Sequence, residues 1–372
     1  MKMLRDKLSW WEDQYLFDNL DYIIIGGGIV GLSTAIELKS NNPKHKILII
    51  DKQSYPVGAS TRNAGFACFG SISEILDDIG KFGESICQDL IKMRYDGLSI
   101  LKERVSLSNM NYKNNGGAEI FNNQEDFDHY ESKIPYLNDF VADTLGIKDC
   151  FSVNSGPFGN EILNQYEGSI FPHMMMAELT KIAKHAGVLF LHGIEITKID
   201  IPNHTIITNK GTILYPKLIV CTNGFSEDLI HNSTLSIDLK PARNQVLVTN
   251  PILNFSIGPC YHMDCGYVYF RAIDNRLLIG GGRNTDFKVE ATSDLNQTNE
   301  IISYLTDIIN TTIAPNCNVK IEKQWSGIMG VGSTKMPIVT QLPNDIFLAI
   351  RMGGMGVAIG SYIGRLTAKS IN

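Results

Sequence analysis

A glycine-rich turn between a short apolar strand and a helix is the feature that most constrains the fold of this chain. Residues 21–35 read DYIIIGGGIVGLSTA, so Gly26, Gly28 and Gly31 form a G-x-G-x-x-G pattern directly after the strand. Gly26 permits a sharp exit from the strand, Gly28 lets the backbone approach a pyrophosphate, and Gly31 lets the helix lie close to the sheet. A second apolar strand ends at Asp51. This order of elements predicts a dinucleotide-binding unit.

The position of Asp51 adds to this prediction. It follows Gly31 by 20 residues, the spacing at which a carboxylate accepts hydrogen bonds from ribose hydroxyls. The start of the helix, at Ile29 and Val30, presents unpaired N–H groups and a positive dipole end to the phosphates. A strand, turn and helix without a ligand is the alternative interpretation. The unit alone leaves open which dinucleotide binds.

The overall charge gives no support for several classes of partner, and local basic patches are the alternative that it leaves open. The chain has 372 residues and a formal net charge of −6, which gives no electrostatic reason to expect nucleic acid or an anionic membrane as a partner. Its most apolar stretch, at 23–32, is interrupted by glycines and is shorter than the ~20 residues of a membrane-spanning helix. The N-terminal residues contain no secretory hydrophobic segment. We therefore expect a cytoplasmic protein without a membrane span.

The seven cysteines are scattered and form no C-x-x-C pair. Cys260 and Cys265 are the closest two in sequence, and His262 lies between them. No neighbouring Cys/His pair completes a zinc-binding set. We expect free, buried thiols and no metal site.

A second loop of small residues follows the dinucleotide-binding unit. It spans residues 57–70 and reads VGASTRNAGFACFG. Its candidate binding residues are Ser60, Thr61, Arg62, Asn63 and Gly65. Small residues suit a backbone that passes close to a flat or charged ligand. We therefore expect this loop to contact a ligand.

The remaining chain mixes helices and strands without an internal repeat. Apolar spacing predicts one helix over 74–107 and another from Pro172 to about residue 186, with Pro172 at a favoured first position. Three β-rich segments between 240 and 282 predict an antiparallel sheet. A further helix is expected near 296–310.

Two turns follow apolar strands, one at 218–221 and the other at 346–350. The turns comprise Cys221, Thr222, Asn223 and Gly224, and Gly354, Met355, Gly356 and Val357. Ligands of open α/β sheets bind at the carboxyl ends of strands. The second turn opens the last helix, and a tight strand-to-helix turn without a ligand is its alternative interpretation.

In this order, the segments resemble the D-amino-acid oxidase-like FAD-dependent oxidoreductases, the superfamily of glycine oxidase, sarcosine oxidase and γ-glutamylputrescine oxidoreductase. Five landmarks carry the resemblance: the first glycine turn with Asp51, the loop at 57–70, the strand around Ile196, the turn at 221–224 and the glycines at 354–356. The aromatic leader at 9–12 and the Trp325-x-Gly327 segment look most like the putrescine-oxidoreductase branch. The resemblance covers nearly the whole chain.

The resemblance implies an α/β fold, with a Rossmann-like FAD-binding domain interleaved with a substrate domain on an antiparallel sheet. The FAD-binding domain would be built from residues 1–80, 160–235 and 325–372. The substrate domain would be built from residues 81–159 and 236–324.

The resemblance also assigns roles around the cofactor. Asp51 would hold the adenosine ribose, the backbone of Ile196 the adenine, and Ser60 would meet the pyrophosphate. Residues 62–65 would pass by the isoalloxazine. Residues 354–357 would cap its pyrimidine edge, where the start of a helix stabilises the negative charge of the reduced ring.

FAD is expected to bind without a covalent bond, because no cysteine stands at the attachment position after Gly327. The implied cofactor residues are Gly26, Gly28, Ile29, Val30, Gly31, Asp51, Lys52, Ser60, Thr61, Arg62, Asn63, Gly65, Ile196, Cys221, Thr222, Asn223, Gly224, Gly327, Gly354, Met355, Gly356 and Val357.

The implied reaction is oxidation of a C–N bond, in which hydride moves from the carbon bearing a neutral amine to flavin N5 and the imine is hydrolysed. This chemistry requires no obligate protein base, and no residue stands out as one. Tyr267, Tyr269 and Arg271 alternate on a predicted strand, so they share one face. That face would line the substrate pocket, and a solvent-side stripe is the alternative. Arg283, which follows three glycines, is a further candidate to reach an acidic substrate.

Two positions depart from the family pattern. Amino-acid oxidases of the superfamily often carry an arginine soon after the glycine that matches Gly327, where this chain has Ile328. An α-amino acid would then need Arg271 or Arg283 to bind its carboxylate. Sarcosine oxidases carry a lysine that helps oxygen accept electrons, at the position matching Leu278, so the electron acceptor stays open.

Two further residues are expected to be structural. Arg243 fits a salt bridge near the domain junction, and His173 fits capping or packing at a helix start. The leading interpretation of the chain is an FAD-dependent oxidoreductase acting on a small amine or amino acid. An NAD-dependent dehydrogenase, and a flavin-binding subunit that acts with a partner, are the alternatives.

Overall fold

The computed structural model describes residues 3–231 and 237–371, in which eleven α-helices alternate with nineteen β-strands. The helices are α1 Trp10–Phe17, α2 Ile29–Asn41, α3 Ala59–Arg62, α4 Ile72–Phe82, α5 Glu84–Arg104, α6 Gln124–Glu131, α7 Ile134–Leu145, α8 Pro172–His185, α9 Ser226–His231, α10 Asn299–Ile308 and α11 Gly356–Ile371. Within the described residues, none of the helices has the length and apolar character needed to span a membrane.

The strands form two large sheets and two small ones within the described chain. They are β1 Tyr22–Ile25, β2 Ile47–Asp51, β3 Phe66–Ala67, β4 Gly117–Ile120, β5 Phe151–Gly156, β6 Gly159–Asn164, β7 Gly168–Ser169, β8 Leu189–His192, β9 Ile196–Asp200, β10 Thr205–Thr208, β11 Gly211–Leu214, β12 Lys217–Val220, β13 Lys240–Thr249, β14 Cys260–Met263, β15 Val268–Ile273, β16 Arg276–Gly281, β17 Ile321–Val331, β18 Ile338–Leu342 and β19 Ile346–Ile350.

The first large sheet has the strand order β18-β19-β12-β1-β2-β8. β1 pairs in parallel with β2 on one side and with β12 on the other, so the order of connection reverses at β1. The central strands β1 and β19 are apolar and buried throughout because both of their faces are covered. Ile24 and Ile49 join a core with α2, α8 and α11, whereas Ile23 and Ile50 join a second core with the small sheet β11-β10-β9. The carboxyl ends beside such a reversal are where ligands bind.

The first glycine turn has the packing role predicted for it. A Cβ atom at Gly31 would lie 2.0 Å from the carbonyl oxygen of Gly26, so only glycine lets α2 lie this close to β1. The turn therefore holds the start of α2 at the carboxyl edge of the sheet.

The second large sheet has the order β17-β13-β16-β15-β14-β4-β6-β5, and all of its pairs are antiparallel except β14 with β4. One face packs on α10 through a core that contains Tyr261 and Phe270, whose ring centroids lie 4.9 Å apart. Because side chains alternate along a strand, His262 and Tyr269 point to the opposite face. The predicted α/β class with an antiparallel second sheet is confirmed.

The single helix predicted over 74–107 is in fact two helices, α4 and α5. Gly83 between them has a φ of +83°, a conformation that interrupts a helix and favours glycine. The apolar spacing continues across the break because both helices contribute to one core, through Ile75 and Ile91. The second half of α5 packs in the core of α2 and α11 through Leu98.

Two predicted domain boundaries fall inside strands of the second large sheet. The boundary at 160 lies in β6 and the boundary at 325 lies in β17. β17 pairs along its length with β13, so it belongs to the sheet assigned to the substrate domain. The division into the two domains stays a prediction. Its ranges also include residues 1–2, 232–236 and 372, which lie outside the described residues.

Candidate active site

A cleft of about 1130 Å³ lies between the carboxyl edge of the first large sheet and the inner face of the second. It brings together segments that are far apart in sequence, near 25–30, 56–60 and 351–359. Side chains from β13, β14 and β15 close its other side. The topology therefore places both predicted glycine loops and the C-terminal glycine turn around one space.

Most residues predicted to contact the cofactor line this cleft. They are Gly26, Gly28, Ile29, Val30, Asp51, Lys52, Ser60, Arg62, Asn63, Ile196, Cys221, Thr222, Asn223, Gly327, Gly354, Met355, Gly356 and Val357. The structure thus assembles a set that the sequence only aligned by motif.

Four predicted cofactor residues do not line the cleft. Gly31 packs α2 on β1, and a Cβ atom at Gly65 or Gly224 would lie 2.3 Å from a backbone oxygen. The Thr61 hydroxyl donates to a backbone carbonyl of its own loop at 2.9 Å. These four residues shape the loops rather than the surface of the cleft.

The dinucleotide end is organised around Asp51. Its Oδ2 accepts from the N–H of Gly27 at 2.8 Å, and its Oδ1 accepts from the N–H of Gln53 at 3.0 Å. A carboxylate has about four acceptor positions, so capacity remains for ribose hydroxyls. Nearby, Ser60 Oγ accepts from the N–H of Ile29 at 3.0 Å, which joins the small-residue loop to the start of α2.

The residues present fit FAD. A Cβ atom at Gly28 would lie 3.0 Å from Ser60 Oγ, and Gly28 has no side chain that could accept from the helix N–H groups beyond Ile29. That helix start is suited to a pyrophosphate. At the other end of the cleft, α11 begins at Gly356 and has no acidic residue in its first turn. Its dipole is therefore free to stabilise negative charge on a flavin ring.

The turn before the C-terminal glycines is held by contacts that the sequence did not reveal. Arg351 has a φ of +66°, which a non-glycine residue adopts only when its surroundings enforce it. Asn223 Oδ1 accepts from the N–H groups of Arg351 and Met352 at 3.0 and 3.1 Å. The Arg351 guanidinium donates to the backbone oxygens of Met336 and Asp238. Asn223 thus acts by holding this turn.

The small-residue loop is docked on β17. Arg62 Nη1 donates to the Ser326 carbonyl at 2.8 Å, and Trp325 Nε1 donates to the Arg62 carbonyl at 2.8 Å. Asn63 Oδ1 accepts from the N–H of Gly65 at 2.9 Å. The Trp325-x-Gly327 segment therefore positions the loop predicted to pass by the isoalloxazine.

The opposite part of the cleft is here called the substrate chamber after the role predicted for Tyr267, Tyr269 and Arg283, which line it together with Phe66 and His262. The Phe66 ring meets the His262 and Tyr269 rings edge-on at centroid distances of 5.3 and 5.4 Å. The Arg283 guanidinium lies 5.4 Å from the Tyr267 ring centroid and has no ion-pair partner among the described residues. Burial lowers the pKa of Arg283, but a guanidinium stays charged in proteins. The chamber therefore contains an unpaired cation.

The structure does not bring Arg271 to the cleft. Tyr267 and Tyr269 line it, but Arg271 is buried and its Nη2 donates to the Ile170 carbonyl at 2.9 Å. The loop at Gly65 covers this part of β15, since a Cβ atom there would lie 2.7 Å from the guanidinium. Alternation placed Tyr269 and Arg271 on one face, but the covering loop separates Arg271 from the cleft.

Three other residues singled out in the sequence have structural settings. Arg243 donates twice to the Glu290 carboxylate, at 2.9 and 2.8 Å, so the predicted salt bridge is confirmed. His173 lies exposed in the first turn of α8. Leu278 is buried in an apolar cluster with Ala64.

A group of charged side chains lies at the border of the chamber, where Glu74, Arg94 and Lys335 line the cleft. Lys335 Nζ lies 3.2 Å from Glu74 and 2.6 Å from Asp78, and Arg94 lies 3.4 Å from Glu74. Burial raises the pKa of Glu74, but Lys335 and Arg94 outweigh it, so the net direction is down. Glu74 is therefore a charged carboxylate at neutral pH.

Sequence spacing missed a buried cluster of Cys68, Glu167 and His262, whose polar atoms lie within 4.8 Å of one another. Cys68 and His262 line the chamber, and Glu167 lies behind them. Burial, with Cys260 and Glu167 nearby, raises the pKa of the Cys68 thiol well above its ordinary value. A protonated thiol is a poor metal ligand, because metals bind the thiolate. Only the alternation along β14 signals which way His262 points.

The family of FAD dependent oxidoreductases, DAO, matches residues 21–370. The chain belongs to this family. The γ-glutamylputrescine oxidoreductase of Escherichia coli strain K12 is 25% identical over 369 residues, which cover 94% of this chain and 83% of that protein. L-proline dehydrogenase from P. horikoshii has a TM-score of 0.75 at 19% identity, over 95% of this chain and 93% of its own. Glycine oxidase from Geobacillus kaustophilus has a TM-score of 0.74 at 17% identity, over 94% of each chain.

The family match confirms the resemblance that was inferred from the sequence of this FAD-dependent oxidoreductase. Its cofactor is FAD, which decides between the dinucleotides that the first glycine turn left open. The two solved structures show the fold. The contacts of individual residues with FAD and substrate stay predictions.

Proposed function

We propose that this FAD-dependent oxidoreductase oxidises the C–N bond of a small amine or amino acid. The observation that carries the proposal is the substrate chamber, which opens from the same cleft as the dinucleotide end and contains the unpaired guanidinium of Arg283. When bound, FAD would accept a hydride from the substrate at its N5 atom. The three similar proteins are named for amine or amino-acid substrates, which supports this class.

In this proposal, FAD binds without a covalent bond along the cleft. Asp51 accepts hydrogen bonds from the ribose, and the start of α2 faces the pyrophosphate. The backbone at Ile196, which lines the cleft beside them, contacts the adenine. The start of α11 at Gly356 meets the pyrimidine edge of the flavin.

The chamber orients the substrate through Arg283. Its guanidinium offers charge-assisted hydrogen bonds to a carboxylate on the substrate. It takes the place of the arginine that is missing after Gly327, where Ile328 is buried instead. Phe66 and Tyr269 form walls that exclude water, and the Tyr269 hydroxyl is held by Asn244 Nδ2 at 3.0 Å.

An anaerobic reduction screen tests this function. Purified, FAD-loaded protein is mixed with glycine, N-methyl amino acids, D-amino acids and polyamines, and the visible flavin absorbance is followed. We expect bleaching with at least one of these amines and release of the corresponding carbonyl product. Bleaching by dithionite but by no amine would contradict the proposal.

A second candidate function is a flavin-binding subunit that acts with a partner. Trp10 and Trp11 on α1 are 64% and 75% exposed, and adjacent exposed aromatic side chains favour contact with another molecule. Catalytic turnover by the isolated chain would remove the need for a partner. Flavin reduction by the amine, with no turnover until a second protein is added, would support it.

A further inference from the structure

His262 lies at the boundary between the substrate chamber and the protein interior. It is the third residue of β14, where it pairs with Tyr269 of β15 and with Glu119 of β4. Its neighbour Tyr261 points into the core on the other face of the sheet. His262 is only 5% exposed, yet it lines the cleft and meets Phe66 edge-on.

Behind His262 lies a carboxylate that the protein holds in one orientation. Glu167 is 0% exposed, and its Oε1 accepts from the N–H groups of Phe69 and Gly70 at 2.8 and 2.9 Å. Its Oε2 lies 3.8 Å from His262 Nε2. Neither Oε2 nor Nε2 is hydrogen-bonded to any described residue. A buried acceptor without a donor is costly, so this geometry is suited to a proton on Nε2, which leaves Nδ1 as the acceptor of the neutral imidazole.

Other titratable groups lie around His262, beginning with two carboxylates whose charges interact with it. Burial raises the pKa of Glu119 of β4, which accepts from the Ser73 hydroxyl and N–H, whereas Glu74 of α4 is charged at the rim of the chamber. The Cys68 thiol is neutral, because burial raises its pKa. Burial also raises the pKa of Tyr269, so its phenol stays neutral. Among the cations of this region, Lys335 and Arg94 are paired with Glu74. Arg271, which interacts with Cys68, and Arg283, which interacts with Tyr269, have no carboxylate partner among the described residues.

We propose that His262 accepts the proton of the substrate ammonium, and that Glu167 is the positioning residue that holds the imidazole and stabilises its charge. This inference rests on the proposed amine oxidation and replaces the expectation that no protein base is needed. An N–H bond of the ammonium breaks and an N–H bond forms on the imidazole. The electron pair stays on the amine nitrogen. Only that neutral amine releases hydride readily from its carbon.

The first test compares flavin reduction in the wild type and in His262→Asn over a range of pH under anaerobic conditions. General-base contributions are commonly 10² to 10⁴-fold, so we expect reduction of His262→Asn to be slower by about 10² near neutral pH. The loss should shrink as pH rises toward the pKa of the substrate amine, because the free amine then arrives already neutral. A purely structural role would lower the rate equally at every pH.

Two variants make this test independent of folding. Glu167→Gln keeps an oxygen for the N–H groups of Phe69 and Gly70 but removes the charge, and we expect about a tenfold loss with the same pH trend. His173→Asn removes an exposed histidine of α8 and should leave rate and pH profile unchanged. FAD content and melting temperature are recorded for each variant.

The second test observes the proton directly. Holoenzyme labelled with nitrogen-15 histidine is titrated with an amine that lacks a Cα–H bond and so cannot be oxidised. We expect one histidine to shift to the imidazolium form, with this signal missing in His262→Asn. The matching quaternary ammonium has no proton to give and should leave the histidine signal unchanged.

The outcomes separate the two proposals. If no amine reduces the wild-type flavin, the proposed function itself is overturned. If an amine reduces it while His262→Asn keeps the wild-type rate and pH profile, only the role of His262 is overturned. A histidine that stays neutral with the amine bound would also overturn that role.

Discussion

The two ends of the cleft are lined by different parts of the chain. The dinucleotide end is lined mainly by backbone N–H groups, glycines and one carboxylate, which belong to short contiguous segments around Gly28 and Asp51. The substrate chamber is lined by side chains on separate elements, such as His262 on β14 and Arg283 after β16. A site made of backbone can be recognised from local spacing, whereas a site made of side chains depends on strand register.

The largest expected effect is a loss of stability in the second large sheet, to which Arg243 of β13 belongs. Arg243→Met leaves the buried Glu290 carboxylate without its partner, which typically costs about 3–5 kcal/mol of unfolding free energy. Arg276→Met breaks a more exposed pair with Glu322 and should cost about 0–1 kcal/mol. Urea unfolding of both variants measures the difference. Equal losses would show that burial of the Arg243 pair contributes nothing.

The ion pair of Arg243 and Glu290 also predicts how the free energy of unfolding changes with pH. Burial raises the pKa of Glu290, but Arg243, Thr298 and Gln245 together lower it, so its folded pKa lies below its ordinary value. The stabilisation is therefore complete above the unfolded pKa of about 4.3 and is lost as pH falls through the folded pKa. The stability gap between wild type and Arg243→Met should narrow on acidification.

The next expected effect concerns close packing at the dinucleotide end. In Gly31→Ala, the new Cβ would lie 2.0 Å from the Gly26 oxygen, which forces α2 away from β1. Overpacking of this kind costs about 1–3 kcal/mol, and the displaced helix start should also reduce FAD binding. Gly80→Ala on α4 is the matched control, because nothing lies within 4 Å of its Cβ and the residue does not line the cleft. The FAD-to-protein ratio and melting temperature check both.

A comparable effect, on FAD affinity alone, is expected from the carboxylate at the end of β2. Asp51→Ala removes charged hydrogen bonds to the ribose and should weaken FAD affinity by about 1.5–3 kcal/mol. Asp89→Ala removes an exposed carboxylate on α5 and should leave affinity unchanged. Equilibrium titration of the apoprotein with FAD measures both variants. Unchanged retention in Asp51→Ala would show that another group holds the ribose.

The smallest expected effect concerns how the substrate chamber distinguishes amines with a carboxylate from amines without one. Arg283→Ala should weaken binding of an amine that carries a carboxylate by about 1.5 kcal/mol, roughly tenfold. Amines without a carboxylate should bind as before, and FAD content should not change. Spectral titration with paired substrates separates these outcomes. An equal loss for both kinds of amine would show that Arg283 shapes the chamber rather than recognising charge.

Sequence reasoning reached the fold class, and most of the residues that it predicted to bind the cofactor line the cleft, because each depends on local constraints. Gly31 must be glycine wherever a helix lies this close to a strand, and the spacing to Asp51 follows from the length of one helix and its connections. It did not reach the break at Gly83, because one apolar face continues through both helices.

The amino-acid sequence by itself therefore determined a dinucleotide-binding α/β protein of the FAD-dependent oxidoreductase family. Only the tertiary structure decided that the loop at Gly65 covers Arg271, and that Glu167, in the loop between β6 and β7, lies beside His262 of β14. The physical reason is that backbone conformation and helix packing are dictated by neighbours in sequence. Contacts between side chains on distant strands are set by how the sheets and loops come together.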